Sequence, residues 1–254
     1  MLQVKDLSKN FGGLAAVSSV DLEVREGELV GIIGPNGAGK TTLFNLLTGY
    51  IRPTSGHVWL FHKEITGKKP HQVAARGMVR TFQQNNVFGD LTVAQNVRLA
   101  CHLTCQVRPW EAILHTPGAT RKERQVGSRV AEILELVGIS HLANVPANAL
   151  PHGHKRILGI AVALACEPRL LLLDEPLAGM NTTEVDTAVA LIRRLWEIGL
   201  TILLIEHNMR AVMGLCQRFV VLNFGKKLAE GTPEEIRNNP EVVRAYLGTA
   251  AHAA

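Results

Sequence analysis

Leu29-Val30-Gly31-Ile32-Ile33-Gly34-Pro35-Asn36-Gly37-Ala38-Gly39-Lys40-Thr41-Thr42 is the stretch that decides the fold. Its first five residues form an apolar run with the character of a buried strand, and the rest is a complete G-x-x-x-x-G-K-[ST] match. Leu43, Phe44, Leu46 and Leu47 continue as a helix that Gly49 closes. A glycine-rich turn alone need bind nothing. Here the strand, the spacing, the Lys-Thr pair and the helix coincide, which specifies a phosphate cradle. Glycines at 34, 37 and 39 let the backbone of Gly34 to Thr42, with Asn36 and Ala38, wrap closely around anionic oxygens. Amide N–H groups and the positive end of the helix then face the anion. Lys40 would reach the β- and γ-phosphates of a nucleoside triphosphate, and the Thr41 hydroxyl would hold Mg²⁺.

The 254 residues give ample length for a core, in one large domain or two coupled subdomains. A composition of 46% hydrophobic and 19% charged residues is that of a globular protein. The longest apolar run, Ile157 to Cys166, is too short to span a bilayer. Gln3, Lys5 and Asp6 follow Met1 with no signal-peptide core, so a cytoplasmic location is expected. The formal charge of +5 suits an anionic partner, either nucleic acid or a membrane surface. The basic residues are scattered, and the clusters at Lys68-Lys69 and Arg121-Lys122 lack interleaved aromatics. A solvated face is therefore expected, with no nucleic-acid partner. Four cysteines (Cys101, Cys105, Cys166, Cys216) show no zinc spacing and read as reduced, partly buried thiols.

Ahead of the cradle, Leu2-x-Val4-x-x-Leu7, Leu14 to Val20 and Leu22-x-Val24 alternate as antiparallel strands. Phe11-Gly12-Gly13 lies between the first two, where an aromatic side chain either stacks on a purine or anchors a small core. After it, His57 to Leu60 reads as a strand, Pro70 to Ala75 as a helix stopped at Gly77, and Met78 to Phe82 as another strand. Gln83 to Asn86 is a polar loop. Leu91, Val93, Val97 and Leu99 open a helical region, and Val126, Val130, Ile133 and Leu136 form a second helical stripe. Between them, residues 103–122 with Pro109, Pro117 and Gly118 read as an irregular connection.

Leu150-Pro151-His152-Gly153-His154 opens the helix from Ile157 to Ala165. Leu170-Leu171-Leu172-Leu173 suits a strand buried on both faces, with Asp174-Glu175 at its tip, where ligands of open α/β sheets bind. Thr182 reads as the cap of the helix through Leu195. Thr201 to Ile205 is a further strand ending at Glu206-His207, and Phe219 to Leu222 completes the core. Thr232-Pro233-Glu234-Glu235 is a capping box, and Asn239-Pro240 starts a last helix ending near Gly248.

Phosphate loop, loop Gln83, glycine-bearing pentad, leucine strand with Asp174-Glu175, and His207 stand in one order. That order resembles the ATP-binding cassette of ABC transporters over nearly the whole chain. Phe11-Gly12-Gly13-Leu14, Arg80-Thr81-Phe82-Gln83, Ala178-Gly179-Met180-Asn181 and Gly231-Thr232-Pro233 through Tyr246-Leu247-Gly248 resemble the ATPases that energise branched-chain amino-acid uptake. The length between Gln83 and the pentad resembles that of the larger, LivG-type subunit. The resemblance implies an α/β P-loop NTPase fold: a RecA-like core, an antiparallel β subdomain and an inserted helical subdomain. Residues 1–83 and 153–254 would form the nucleotide-binding core, and 84–152 the helical subdomain.

On this resemblance Phe11 stacks on adenine with Val17 nearby, and Asp174 binds Mg²⁺ directly or through water. Glu175 polarises the attacking water, His207 contacts the γ-phosphate, and Gln83 senses Mg²⁺ and faces the membrane subunits. Leu150, Gly153 and His154 belong to the pentad that meets ATP held by an opposite cassette. That pentad departs from the usual L-S-G-G-Q: Pro151 replaces the serine hydroxyl, and His152 and His154 replace Gly and Gln. Asn181 replaces a common Asp. The implied partners are a second ATPase, two membrane permeases and, indirectly, a substrate-binding protein, at the cytoplasmic face of the inner membrane. Similar cassettes power lipid or lipopolysaccharide export, and soluble ones act outside transport, though usually with two cassettes or a coiled-coil insertion. A GTPase is disfavoured because no Asn-Lys-x-Asp motif occurs.

Overall fold

The structure, a computed structural model, describes residues 1–81, 87–104 and 117–250. Gln83 and Cys105 lie outside the described residues. Every residue of β3 (Leu29–Ile33), β7 (Leu170–Asp174) and β8 (Thr201–Ile205) is buried, because these strands run side by side within a sheet covered on both faces. Successive side chains point to opposite faces. Ile33, Leu171, Leu173, Ile202 and Leu204 therefore enter one apolar cluster, and Val30, Ile32, Leu170, Leu172, Leu203 and Ile205 enter another. Four consecutive leucines are the solution to a strand that must be apolar on both sides.

The sheet has the order β10-β9-β3-β8-β7-β6, adding β6 (Met78–Arg80), β9 (Arg218–Asn223) and β10 (Lys226–Gly231). All pairs are parallel except β10 with β9. Ile205 of β8 pairs with Ile32 of β3 on one side and with Asp174 of β7 on the other. The three strands thus end level with one another, so whatever follows them is brought together.

A second, antiparallel sheet of order β2-β1-β4-β5 comprises β1 (Leu2–Phe11), β2 (Leu14–Val24), β4 (Ser55–Leu60) and β5 (Lys63–Glu64). The segments read separately as Leu14 to Val20 and Leu22 to Val24 form one strand. Leu2, Val4, Leu7, Val17, Val20 and Val24 share a cluster with Leu43, Phe44 and Leu47 of α1 (Lys40–Leu47). The helix that follows the phosphate loop therefore joins the two sheets.

α2 (Pro70–Ala74) precedes β6; Thr81 lies beyond the end of the strand, and Phe82, read with it from sequence, lies outside the described residues. α3 (Val93–Thr104), α4 (Pro117–Leu136) and α5 (His152–Ala165) pack on one another. Val93, Val97, Val130, Ile133, Leu158 and Ala161 put them in the same cluster as Leu171 and Leu173. Leu99, read from sequence with Leu91, Val93 and Val97 as opening the helical region, is exposed, and Ala100 and Cys101 take the inward positions. The connection read as irregular over 103–122 is helical at its margins. Pro117 opens α4, where a missing backbone donor costs nothing.

α6 (Thr182–Glu197) is capped by Asn181, not by Thr182. Asn181 Oδ1 accepts from the Glu184 N–H at 3.0 Å, and Glu184 Oε2 accepts from the Asn181 N–H at 3.0 Å. The short α7 (Met209–Val212), α8 (Pro233–Asn238), capped by Thr232 as read, and α9 (Pro240–Ala250) complete the chain. Among the described residues no helix is long and apolar enough to cross a membrane. Cys101 and Cys216 are buried and Cys166 is partly so.

Candidate active site

Gly34 to Thr42 carries β3 into α1. Gly34, Gly37 and Gly39 have φ of 150°, 78° and 98°, in the left-handed region that favours glycine. A Cβ on Gly34 would collide with the Leu222 carbonyl oxygen, and one on Gly39 would approach Ala16 O at 2.5 Å. The Gly225 N–H donates to Ala38 O at 3.1 Å, so the β9–β10 turn clasps the loop from the side. Gly39 is the N-cap of α1 and offers no side-chain acceptor, which leaves the first-turn N–H groups for an anion. Asn36, Gly37 and Thr41 are exposed and Ala38 is buried.

Lys40 is buried and its Nζ donates to Gly34 O at 2.8 Å and Pro35 O at 3.0 Å. Burial pushes the ammonium pKa down, while the charges of Glu175 and then Asp174 hold it up. Both carboxylates therefore bear on the loop lysine.

Asp174, at the tip of β7, is 2% exposed. Its Oδ2 accepts from Arg80 Nη2 at 2.6 Å, and Arg80 Nη1 donates to Asn45 Oδ1 of α1 at 2.6 Å. Asp174 Oδ1 is buried with no hydrogen-bond partner. Replacing Arg80 with alanine leaves this carboxylate uncompensated, and we expect a loss of about 3–5 kcal/mol of stability. Urea denaturation measures it; a change below about 1 kcal/mol would show that the pair is immaterial.

Glu175 has φ 47° and its N–H donates to Ile205 O at 3.0 Å, which turns the chain sharply at the strand end. His207 is exposed beyond β8, and its N–H donates to Glu206 Oε2 at 3.1 Å. Glu206 is buried; its Oε1 accepts from the Leu177 N–H at 2.7 Å, and its Oε2 also accepts from the Asn208 N–H at 3.4 Å. Burial raises its pKa against the pull of these N–H groups. One carboxylate thus ties the loop after Glu175 to the loop carrying His207. Sequence reading gave Glu206 only as a strand end and Arg80 only as part of the strand Met78 to Phe82; a charged residue in or closing an otherwise apolar strand was the available signal.

Phe11 is 50% exposed at the end of β1, with Lys9 Nζ 5.1 Å from its ring centroid, so it is no core anchor. Val17 is fully buried in β2, its Cγ2 3.6 Å from the position a Cβ on Gly39 would take, and it supports the loop from beneath.

Leu150 is buried, and Pro151 caps α5 without a side-chain hydrogen bond. A Cβ on Gly153 would meet Glu184 Oε1 at 2.5 Å, and the His152 ring lies 3.1 Å from the Cβ position of Gly179. His154 faces His141 edge-on at 6.5 Å, with its Nδ1 buried and unpartnered. The pentad thus packs against the N-terminal turn of α6 and the loop after Glu175. The structure brings Lys40, Asp174 and Glu175 together, sets His207 on the adjacent strand end, and places the pentad at the start of α5.

Residues 17–178 match the ABC transporter family, and residues 226–252 match the family described as branched-chain amino acid ATP-binding cassette transporter. With the phosphate loop and paired carboxylates at adjoining strand ends, the chain belongs to the ABC transporter ATP-binding proteins; it is an ATPase of that family. Within it the chain is LivG/BraF-like. It is 46% identical to the high-affinity branched-chain amino acid transport ATP-binding protein LivG of Salmonella typhimurium, over 98% of both chains. It is 45% identical to BraF of Pseudomonas aeruginosa, again over 98% of both. The ADP conformation of MJ1267, an ATP-binding cassette of an ABC transporter, superposes with a TM-score of 0.84 at 30% identity over 98% of both chains. The dimeric cassette MJ0796 bound to ADP and Pi does so with a TM-score of 0.78 at 25% identity, over 92% of this chain and 99% of that one.

Proposed function

We propose that this chain is the ATP-binding and ATP-hydrolysing subunit of an importer for branched-chain or related hydrophobic amino acids. The convergence of β3, β7 and β8 carries the reading, because it sets the phosphate loop, Asp174-Glu175 and Glu206-His207 at one level. The match of residues 226–252 to branched-chain amino acid cassettes favours uptake over lipid or lipopolysaccharide export.

In this reading the triphosphate lies along the amides of Gly34 to Thr42, with Lys40 leaving its loop carbonyls for the β- and γ-phosphates. Phe11 stacks on the adenine. Glu175 accepts a proton from the attacking water as general base, and His207 donates to the γ-phosphate. The residues present fit Mg²⁺: Thr41 offers a hydroxyl at the start of α1, and Asp174 Oδ1 is a buried carboxylate oxygen free of hydrogen bonds. When bound, the ion would neutralise charge on the phosphates. Among the described residues no cluster of three or more His, Cys, Asp or Glu is arranged to hold a metal without them.

The second nucleotide-facing surface is the α5 N-terminus at Leu150 to His154, presented to ATP on an opposing cassette. Two cassettes would meet head to tail beneath two permeases at the cytoplasmic face of the membrane, with a binding protein delivering solute. Residues 84–152 would move as the helical subdomain against the core of 1–83 and 153–254, through Gln83. The test is affinity isolation of the tagged chain from membranes of its own cell, with uptake of labelled leucine as readout. Co-isolation of two permeases and a second ATPase, with leucine uptake lost on deletion, is expected. Co-isolation with lipid-export components and unchanged uptake would overturn the assignment of solute.

A further inference from the structure

The hydrogen bonds between β7 and β8 do not stop where the strands do. The Glu175 N–H donates to Ile205 O at 3.0 Å, and the next alternate N–H on that edge, at Leu177, has no strand carbonyl opposite it, because His207 O already accepts from the Met209 N–H at 3.0 Å as the chain turns into α7. The Glu206 side chain supplies the acceptor instead. Its Oε1 takes the Leu177 N–H at 2.7 Å, and its Oε2 takes the N–H groups of His207 and Asn208 at 3.1 and 3.4 Å. One carboxylate therefore fastens two loops that have already left the sheet.

The chemistry of this side chain matters as much as its place. All three partners are donors, and an ionised carboxylate only accepts, so the match is complete. Glutamine has the same shape but would turn an amide N–H2 towards at least one of these N–H groups and leave that donor unpaired. Glu206 is 1% exposed, so it acts on the site only through the segments it holds. Leu177 lies two residues beyond Glu175, and His207 is the next residue in the chain. Neither bond reaches Lys40, whose own contacts run to Gly34 O and Pro35 O.

We propose, on the reading of Glu175 as the base and His207 as the γ-phosphate contact, that Glu206 is a positioning residue that holds these two side chains in register with each other. It therefore sets the rate of ATP cleavage and not the affinity for ATP. Cleavage depends on a base and a γ-phosphate contact placed to within about 1 Å, and misplacement of that size costs about a hundredfold in rate. Affinity comes from the amides and ammonium of Gly34 to Thr42, which Glu206 leaves alone.

Glu206→Gln is the test. In the assembled transporter it is expected to lower kcat by about tenfold to a hundredfold while KM for ATP stays within about threefold. In the full-length chain, Tm without nucleotide should fall by no more than about 5 °C, and the extra stabilisation given by MgATP should match that of wild type. Glu206→Asp keeps the charge but is one methylene short of spanning both loops, and it should lower kcat in the same way. In a chain already carrying His207→Ala, the further loss caused by Glu206→Gln should be at least about threefold smaller than in wild type, because part of what the carboxylate positions is gone. Wild-type kcat in both Glu206 variants overturns the proposal, as does a raised KM at unchanged kcat. An equal loss in both backgrounds, or unfolding with loss of the MgATP stabilisation, marks the carboxylate as merely structural and overturns it too. Glu175→Gln separates the two failures. If it releases phosphate as wild type does, the base is misassigned; if it is inactive while Glu206→Gln turns over as wild type, only this inference falls.

Discussion

Lys40→Ala lowers the affinity for MgATP by about a hundredfold to several thousandfold, to the limit of calorimetric detection. The expectation follows from the setting of the side chain. Lys40 is buried at the start of α1, within the field of Glu175 and Asp174, and its Nζ is already oriented by the Gly34 and Pro35 carbonyls. A triphosphate drawn into the loop gains two or more charge-assisted hydrogen bonds from this one ammonium. Each is worth about 1.5–3 kcal/mol, so their loss costs about 3–5 kcal/mol of binding. At about 1.4 kcal/mol per decade that is the stated factor. The backbone amides remain and would bind weakly. Circular dichroism shows whether the variant is folded; an unchanged Kd in a folded variant would remove the phosphate loop from the account.

Glu175→Gln has the opposite profile, with binding retained and turnover lost. The side chain keeps its shape, and the sharp backbone turn at φ 47° is held by the Ile205 carbonyl whatever the side-chain charge. Affinity for MgATP should stay within about threefold of wild type. Phosphate release in the assembled transporter should fall by about a hundredfold to ten-thousandfold, the range that general bases supply. With ATP bound and not consumed, the cassettes should accumulate closed on one another, which size-exclusion chromatography with MgATP detects. Wild-type phosphate release would place the base elsewhere.

The phosphate loop, the leucine strand and the capping box at Thr232 were legible because each is a local pattern whose physics is complete within about ten residues. The strand ends at Asp174-Glu175 and Glu206-His207 could be located the same way. What local pattern could not give was partnership. Arg80 finds Asp174 across 94 residues, Glu206 finds the Leu177 amide across 29, and Tyr246 finds Met209 across 37. These pairs exist only once β6, β7 and β8 are adjacent and α9 has folded back. The cap of α6 was missed for a different reason. Asn181 and Thr182 are both capping residues, and only Glu184 at the third helical position, reaching back to Asn181, decides between them. Leu99 shows the limit of counting apolar residues at helical spacing, since α3 has only part of its circumference against the core and Leu99 points away from it. The family resemblance supplied what local pattern could not: it implied one nucleotide site from strand ends far apart in the chain, and β3, β7 and β8 do end side by side.

The α5 N-terminus carries the pentad Leu150 to His154 in place of the L-S-G-G-Q that the family resemblance leads one to expect. Pro151 gives a well-formed helix start with no hydroxyl, and His152 rests on Gly179 of the loop that follows Glu175. The contact joins the start of α5 to the loop that follows Glu175.

The central claim is that one triphosphate is held between the loop at Gly34 to Thr42 and the ends of β7 and β8. A structure of the assembled transporter carrying Glu175→Gln with MgATP tests it most directly. The account predicts Lys40 Nζ in hydrogen-bond contact with β- and γ-phosphate oxygens, Asp174 on the metal side, and the residue 175 side chain facing the γ-phosphate. Nucleotide bound away from Lys40, with Asp174 and residue 175 turned from its phosphates, would contradict it.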